Sequence, residues 1–204
     1  MLATRDPMLD LTLIRHGETV FNATGRIQGQ LDAKLSPQGV SQAQALAKRI
    51  GGWSFDQVCS SDLSRASDTA RQVFPEAELR LDPRLREMDL GHLQGGYWDR
   101  LEELDRRALR AWLNNDLEVR IGGGESMNDL LARARQWLET LEKNSRVVAF
   151  THGGFIRAVL MNAFGLESGA RFTIDNTSIS RLHWSGNHVT MLKLNDTAHL
   201  ENRL

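Results

Sequence analysis

Apolar and polar positions follow two rhythms along this chain. Residues 9–14 form a short apolar run with Thr12 and Ile14 among them, which predicts a strand. Ser36 before Pro37 predicts a helix start, and Val40, Ala43, Ala47 and Ile50 continue at helical spacing until Gly51 and Gly52. Residues 55–59 predict a second strand, 62–74 a helix closed by Pro75, and 79–81 a small edge strand. The stretch 84–96 holds Gly91, Gly95 and Gly96 without a clean period and predicts a loop. Residues 97–117 predict a helix with Leu101, Leu104, Ala108 and Ala111 on one face.

A stronger helix follows Gly122, Gly123 and Gly124. Ser126 and Asp129 resemble a capping box. Met127, Leu130, Leu131, Ala134, Trp137, Leu138 and Leu141 keep one apolar stripe through Lys143. The three glycines before it read as a flexible lead-in, with a phosphate cradle as the other reading. Residues 146–151 predict a strand and 154–164 a helix stopped by Gly165. Residues 177–184 and 188–194 alternate apolar and polar across Ser185, Gly186 and Asn187, the pattern of a hairpin. Strands that alternate with helices imply an α/β fold on a mostly parallel sheet with an antiparallel edge. No linker interrupts residues 1–204, so one domain is expected, with 84–125 as a cap or lid.

Composition narrows the function. Of 204 residues, 41% are apolar and 25% charged, an ordinary globular balance. Lys and Arg total 25 against 26 for Asp and Glu, so no basic excess supports nucleic acid as a partner. Cys59 is the lone cysteine, which removes any internal disulfide, and its strand position makes it a core residue. No apolar run approaches the roughly 18 residues of a membrane span. Asp6 and Pro7 near the N-terminus do not suit a secretory signal. The cytoplasm is therefore the expected location. Arg outnumbers Lys by 21 to 4, a bias that base composition explains as well as phosphate binding does.

In open α/β sheets, ligands bind beyond the carboxyl ends of strands. The first strand ends in Arg15-His16-Gly17, the second in Ser60-Ser61-Asp62-Leu63-Ser64-Arg65, and the strand at 146–151 in His152-Gly153-Gly154. Each motif alone is compatible with a plain turn; together they place two histidines and two arginines at three strand ends. Guanidinium groups, imidazoles and free helix N–H groups suit a phosphoryl group and repel a metal cation. Neighbouring Arg⁺ disfavours imidazolium, and a neutral imidazole is a nucleophile. One histidine would attack phosphorus while the other groups hold its oxygens. A carboxyl must then protonate the leaving alkoxide, and Glu87 and Asp89 are candidates, Asp89 reading better as structural. His183, His188 and His199 read as surface or structural. Arg26 and Arg86 are either solvated charges or a site for a second anionic group.

The segment Leu13-Ile14-Arg15-His16-Gly17-Glu18-Thr19 resembles the signature of the histidine phosphatase superfamily, in its phosphoglycerate mutase-like branch. The likeness continues through Asn22, Gln28-Gly29, Leu35-Ser36-Pro37-Gln38-Gly39, Gln42-Ala43, the 60–65 motif with Thr69-Ala70, Arg86-Glu87, Gly124-Glu125-Ser126 and Thr151-His152-Gly153-Gly154. The resemblance implies a three-layer α/β/α sandwich, His16 as the residue that becomes phosphohistidine, and Glu87 as proton donor. It implies a phosphate pocket completed by Arg15, Arg65 and His152, with Asn22, Gln28 and Gly153 lining the substrate site. It implies no metal and no cofactor. Residues 23–29 lack the Phe-Thr-Gly-Trp stretch of the mutases, and Glu87-Met88-Asp89-Leu90-Gly91 is similar to the phosphatase branch. The expected protein is therefore a phosphatase acting on a small phosphorylated metabolite. A phosphoglycerate mutase is the first alternative, and a catalytically silent phospho-ligand binder the second. The terminal hairpin offers an edge through which a homodimer could pair.

Overall fold

The computed structural model describes residues 8–166, 172–185 and 188–201; the expected turn at Gly186 and Asn187 lies outside them, as do residues 1–7. Six strands form one sheet: β1 (Met8–Arg15), β2 (Gln57–Ser60), β3 (Leu79–Leu81), β4 (Arg146–Thr151), β5 (Ile179–Ser185) and β6 (His188–Asp196). Their order is β3-β2-β4-β1-β5-β6. The pairs β3–β2, β2–β4 and β4–β1 are parallel, whereas β5 and β6 add an antiparallel edge. The mixed sheet and its edge are as the alternation implies.

Period-two alternation sends successive side chains to opposite faces. Val147 and Ala149 of β4 pack with α5 (Met127–Leu138) and α6 (Gly153–Phe164), around the buried Trp137 and Phe155. Val148 and Phe150 pack on the other face with α2 (Pro37–Ile50) and α3 (Ser64–Val73). Both faces are covered, which gives the three-layer sandwich. Ser36 caps α2 by accepting from the Gly39 N–H, and the Ser126–Asp129 capping box forms at α5 as its spacing predicts. Cys59 is buried in the core, and burial pushes its thiol up to about 11. Among the described residues no helix is long and apolar enough to cross a membrane.

Three expectations need correction. A short helix not predicted, α1 (Val20–Ala23), follows β1 and is capped by Thr19. The helix expected over 97–117 is a 3-10 turn at Trp98–Arg100 followed by α4 (Glu103–Leu113). Its inner face is not the one anticipated: Leu104 is 78% exposed, and Leu109 and Trp112 turn inward instead, onto a small cluster of Ile27, Leu93, Leu101 and Ile121. Asp105, one turn before Leu109, is buried and pairs with His92, a polar contact that an apolar stripe cannot anticipate. Finally, the 122–124 glycines are no loose lead-in. Gly122 has φ +64°, and a Cβ there would overlap the Leu90 carbonyl, so the turn packs tightly on the 88–91 loop.

Candidate active site

The register of the two central strands builds the site. Arg15 of β1 faces Thr151 of β4, and the next residue on each strand is a histidine. His16 and His152 therefore emerge side by side, with ring centroids 5.1 Å apart. β2 ends level with them, Ser60 facing Phe150, and Ser61 beyond it reaches His152 Nε2 at 2.9 Å. Arg65, in the first turn of α3, completes the row.

The hydrogen bonds fix the tautomers. His16 Nδ1 lies 2.7 Å from the Gly17 carbonyl, which can only accept, so Nδ1 carries the proton and Nε2 the lone pair. Arg65 Nε donates to His152 Nδ1 at 3.2 Å, so the His152 proton sits on Nε2 and points to Ser61 Oγ. Burial, then Arg65 and Arg15, hold His16 well below the usual imidazole value, against the opposing Gly17 bond. Burial, then Arg65 and His16, do the same to His152. Both rings are neutral at pH 7.

Two guanidiniums surround them. Arg65 is fully buried, donates to the carbonyls of Gly29 and Leu31 at 2.7 and 2.8 Å, and is pushed down to about 10 by burial, so it keeps its charge. Arg15 donates to the Ile174 carbonyl at 2.7 Å, while its buried Nε has no partner, a donor held ready for an anion.

Glu87 faces them from the other side. Its Oε1 accepts from the Met88 N–H at 2.9 Å and its Oε2 from the Gly154 N–H at 3.1 Å. A Cβ at position 154 would overlap Glu87 Oε1, so glycine is what lets the carboxylate reach the start of α6. Asp89, the other acid candidate, caps Gly91 N–H at 2.8 Å and does not line the cavity, which agrees with its structural reading. Among the described residues no three His, Cys, Asp or Glu side chains gather as a metal-binding set.

A cavity of about 540 Å³ opens over this floor, lined by Arg15, His16, Asn22, Gln28, Glu87 and Gly153 among others. Asn22 and Gln28 both spend their amide oxygens on Thr19, the first accepting at 3.1 Å and the second at 2.6 Å, which leaves their NH₂ groups for a ligand. Arg65 and His152 are fully buried and are not among the residues that line the cavity. Arg86 does not line the cavity; its half-exposed guanidinium holds Asp62 at 2.5 Å. Arg26 does line the cavity, stacked over Phe21 at 4.3 Å.

Sequence reasoning missed the supports. Arg133 of α5 donates to the carbonyls of Arg84, Arg86 and Glu87 at 2.7, 2.8 and 3.1 Å, and pairs with Glu125 at 2.7 Å. Glu125 in turn accepts from Asp89 N–H at 2.9 Å, so one ion pair fixes the loop that carries Glu87. A signal existed: Arg133 stands three after Leu130 and four before Trp137, a charge at the border of the buried stripe. Asn176 was missed as well. It donates to the His16 carbonyl at 3.0 Å, and no motif marks it.

This arrangement repels cations and accommodates a tetrahedral dianion, which defines a protein that handles phosphate esters. The chain belongs to the histidine phosphatase superfamily (branch 1), whose pattern matches residues 11–197. It is 37% identical over 200 residues to a metal-independent phosphoserine phosphatase of Arabidopsis thaliana, covering 94% of this chain and 83% of that one. It is 34% identical over 207 residues to a probable phosphoglycerate mutase, GpmB, of Erwinia tasmaniensis, covering 95% and 96%. Among solved structures, a phosphoserine phosphatase variant from Entamoeba histolytica in complex with phosphoserine superposes with a TM-score of 0.86 at 29% identity, over 94% of this chain and 99% of that one. The class is thus a phosphomonoesterase.

Proposed function

We propose that this protein hydrolyses small phosphate monoesters through a phosphohistidine on His16. The observation that carries the reading is the His16 tautomer: Nδ1 is committed to the Gly17 carbonyl, and a neutral ring leaves Nε2 as the nucleophile. Nε2 bonds to phosphorus as the ester P–O bond breaks. Arg15, with its unpartnered Nε, takes a phosphoryl oxygen, Arg65 adds positive potential, and the neutral His152 ring stands beside His16, held by Arg65 and Ser61. Glu87 gives its proton to the leaving alkoxide, which departs as the alcohol. Water then attacks the phosphohistidine, Glu87 takes the water's proton, and inorganic phosphate leaves. One ester and one water become one alcohol and one phosphate. The 84–125 segment acts as the cap over this chemistry.

A mutase would pass the phosphoryl group to a second substrate oxygen instead, and one relative carries that name. Incubation with 3-phosphoglycerate and a bisphosphoglycerate primer separates the two. Free phosphate is expected; rapid formation of the 2-isomer with little phosphate would overturn hydrolysis. In the same assay His16→Ala is expected to lose at least about 10⁴-fold in rate, together with all acid-labile phosphoenzyme. Phosphoenzyme retained in the variant would move the nucleophile elsewhere.

A further inference from the structure

The cavity is far larger than a phosphoryl group needs, and beyond Arg15, His16 and Glu87 its wall changes character. Leu90, Leu109, Trp112, Ile121, Met127 and Ile174 supply it, from five separate stretches of chain. Leu109 and Trp112 stand three apart on α4, so one helix face presents both. Trp98 at the same cavity is 44% exposed, an indole left in water unless something apolar covers it.

The polar side chains of the wall are partly committed to the protein itself. Among the described residues Glu87 is the sole carboxylate lining the cavity, and each of its oxygens already accepts one backbone N–H. Of the cations, Arg26 turns Nε and Nη2 together onto the Gly95 carbonyl at 2.8 and 2.6 Å, and Arg157 gives its Nε to the Phe172 carbonyl at 2.8 Å.

Resting on the phosphatase reading, we infer that the preferred substrates are phosphate monoesters of a bulky, mainly apolar alcohol, and that Leu109 and Trp112 of α4 select them. The phosphoryl group meets His16 while the alcohol's hydrocarbon body lies along the apolar wall. Water leaves both surfaces on binding, which favours such an ester over a short charged one.

The test compares the purified full chain on 2-(1-naphthyl)ethyl phosphate and on phosphoserine, both primary alkyl esters. The naphthylethyl ester is expected to have the higher kcat/KM, by about tenfold or more. Trp112→Ala and Leu109→Ala are each expected to lower the ratio of the two kcat/KM values by about tenfold, and Trp112→Phe to recover most of it. A wild-type enzyme that prefers phosphoserine, or variants that lower both esters alike, would overturn the inference, and the wild-type comparison stands even if a variant does not fold. Turnover of phosphoserine without the apolar preference defeats this inference alone. No phosphate from any ester and no phosphoenzyme would defeat the phosphatase reading and this one with it.

Discussion

The cavity has two ends built in different ways. Its floor is a product of the sheet: β1 and β4 hold His16 and His152 in register, and Arg65 and Arg15 are locked by carbonyls of distant loops. The 84–125 segment opposite has little regular structure besides α4, and short 3-10 turns carry much of it. Its position comes from side-chain clamps instead, Arg133 on three carbonyls and Glu125 on the Asp89 N–H. The floor offers buried charge and neutral imidazole; the 84–125 segment offers one carboxylate and much of the apolar wall. Chemistry common to many phosphate esters sits where the backbone is fixed by strand pairing. The selectivity we propose belongs to the segment held by those clamps, and loops tolerate change better than strands.

If the 84–125 segment contributes chemistry only through Glu87, changing that residue gives the largest effect within it. Glu87→Gln is expected to lower kcat for alkyl phosphates by about 10²- to 10⁴-fold, and to harm p-nitrophenyl phosphate much less, since nitrophenolate leaves without a proton. Equal losses on both esters would assign the proton to another group. A smaller effect is expected one layer out. Arg133→Lys removes the fork that spans three carbonyls, and should lower kcat by about 10- to 100-fold with KM little changed, again more for poor leaving groups. A loss confined to thermal stability, with the leaving-group pattern intact, would make Arg133 a structural residue only.

The smallest effect concerns pH and belongs to the floor. His16 and His152 have folded values well below 6.5, and burial, then Arg49, lowers His199 to about 4. Unfolded imidazoles take up protons below pH 6.5 while the folded ones resist. Stability is therefore unaffected above that value and falls progressively below it. The urea midpoint should drop between pH 7 and pH 4.5, and His199→Gln should flatten part of that drop. His199 matters to the floor because its Nε2 meets Thr177 Oγ1 at 3.0 Å, and the Thr177 N–H holds the Arg15 carbonyl at 3.0 Å. A midpoint independent of pH over this range would contradict neutral buried rings.

Much of the floor was legible in the sequence because its residues sit in short motifs at strand ends. Arg15-His16-Gly17 and His152-Gly153-Gly154 follow apolar runs whose period announces them, and the structure brings both together with Arg65 and Glu87. The 84–125 segment was less legible. Leu104 looked like part of the buried face of α4 and is exposed, while Asp105, a charge, is buried against His92. Periodicity assumes that apolar residues face inward, and a segment that packs over an open cavity need not obey that assumption.

By itself the sequence determined the alternation of strands and helices, the capping of α2 and α5, and the candidates for the phosphate-handling groups. These depend on neighbours within a few positions, where propensity and hydrogen-bond geometry act directly. Tertiary structure alone decided that β4 lies beside β1 and that Arg133 holds the acid's loop. It also decided that α4 turns Leu109 and Trp112 toward the ligand space. Those choices are settled by contacts between residues far apart in the chain, whose free energies no local pattern records.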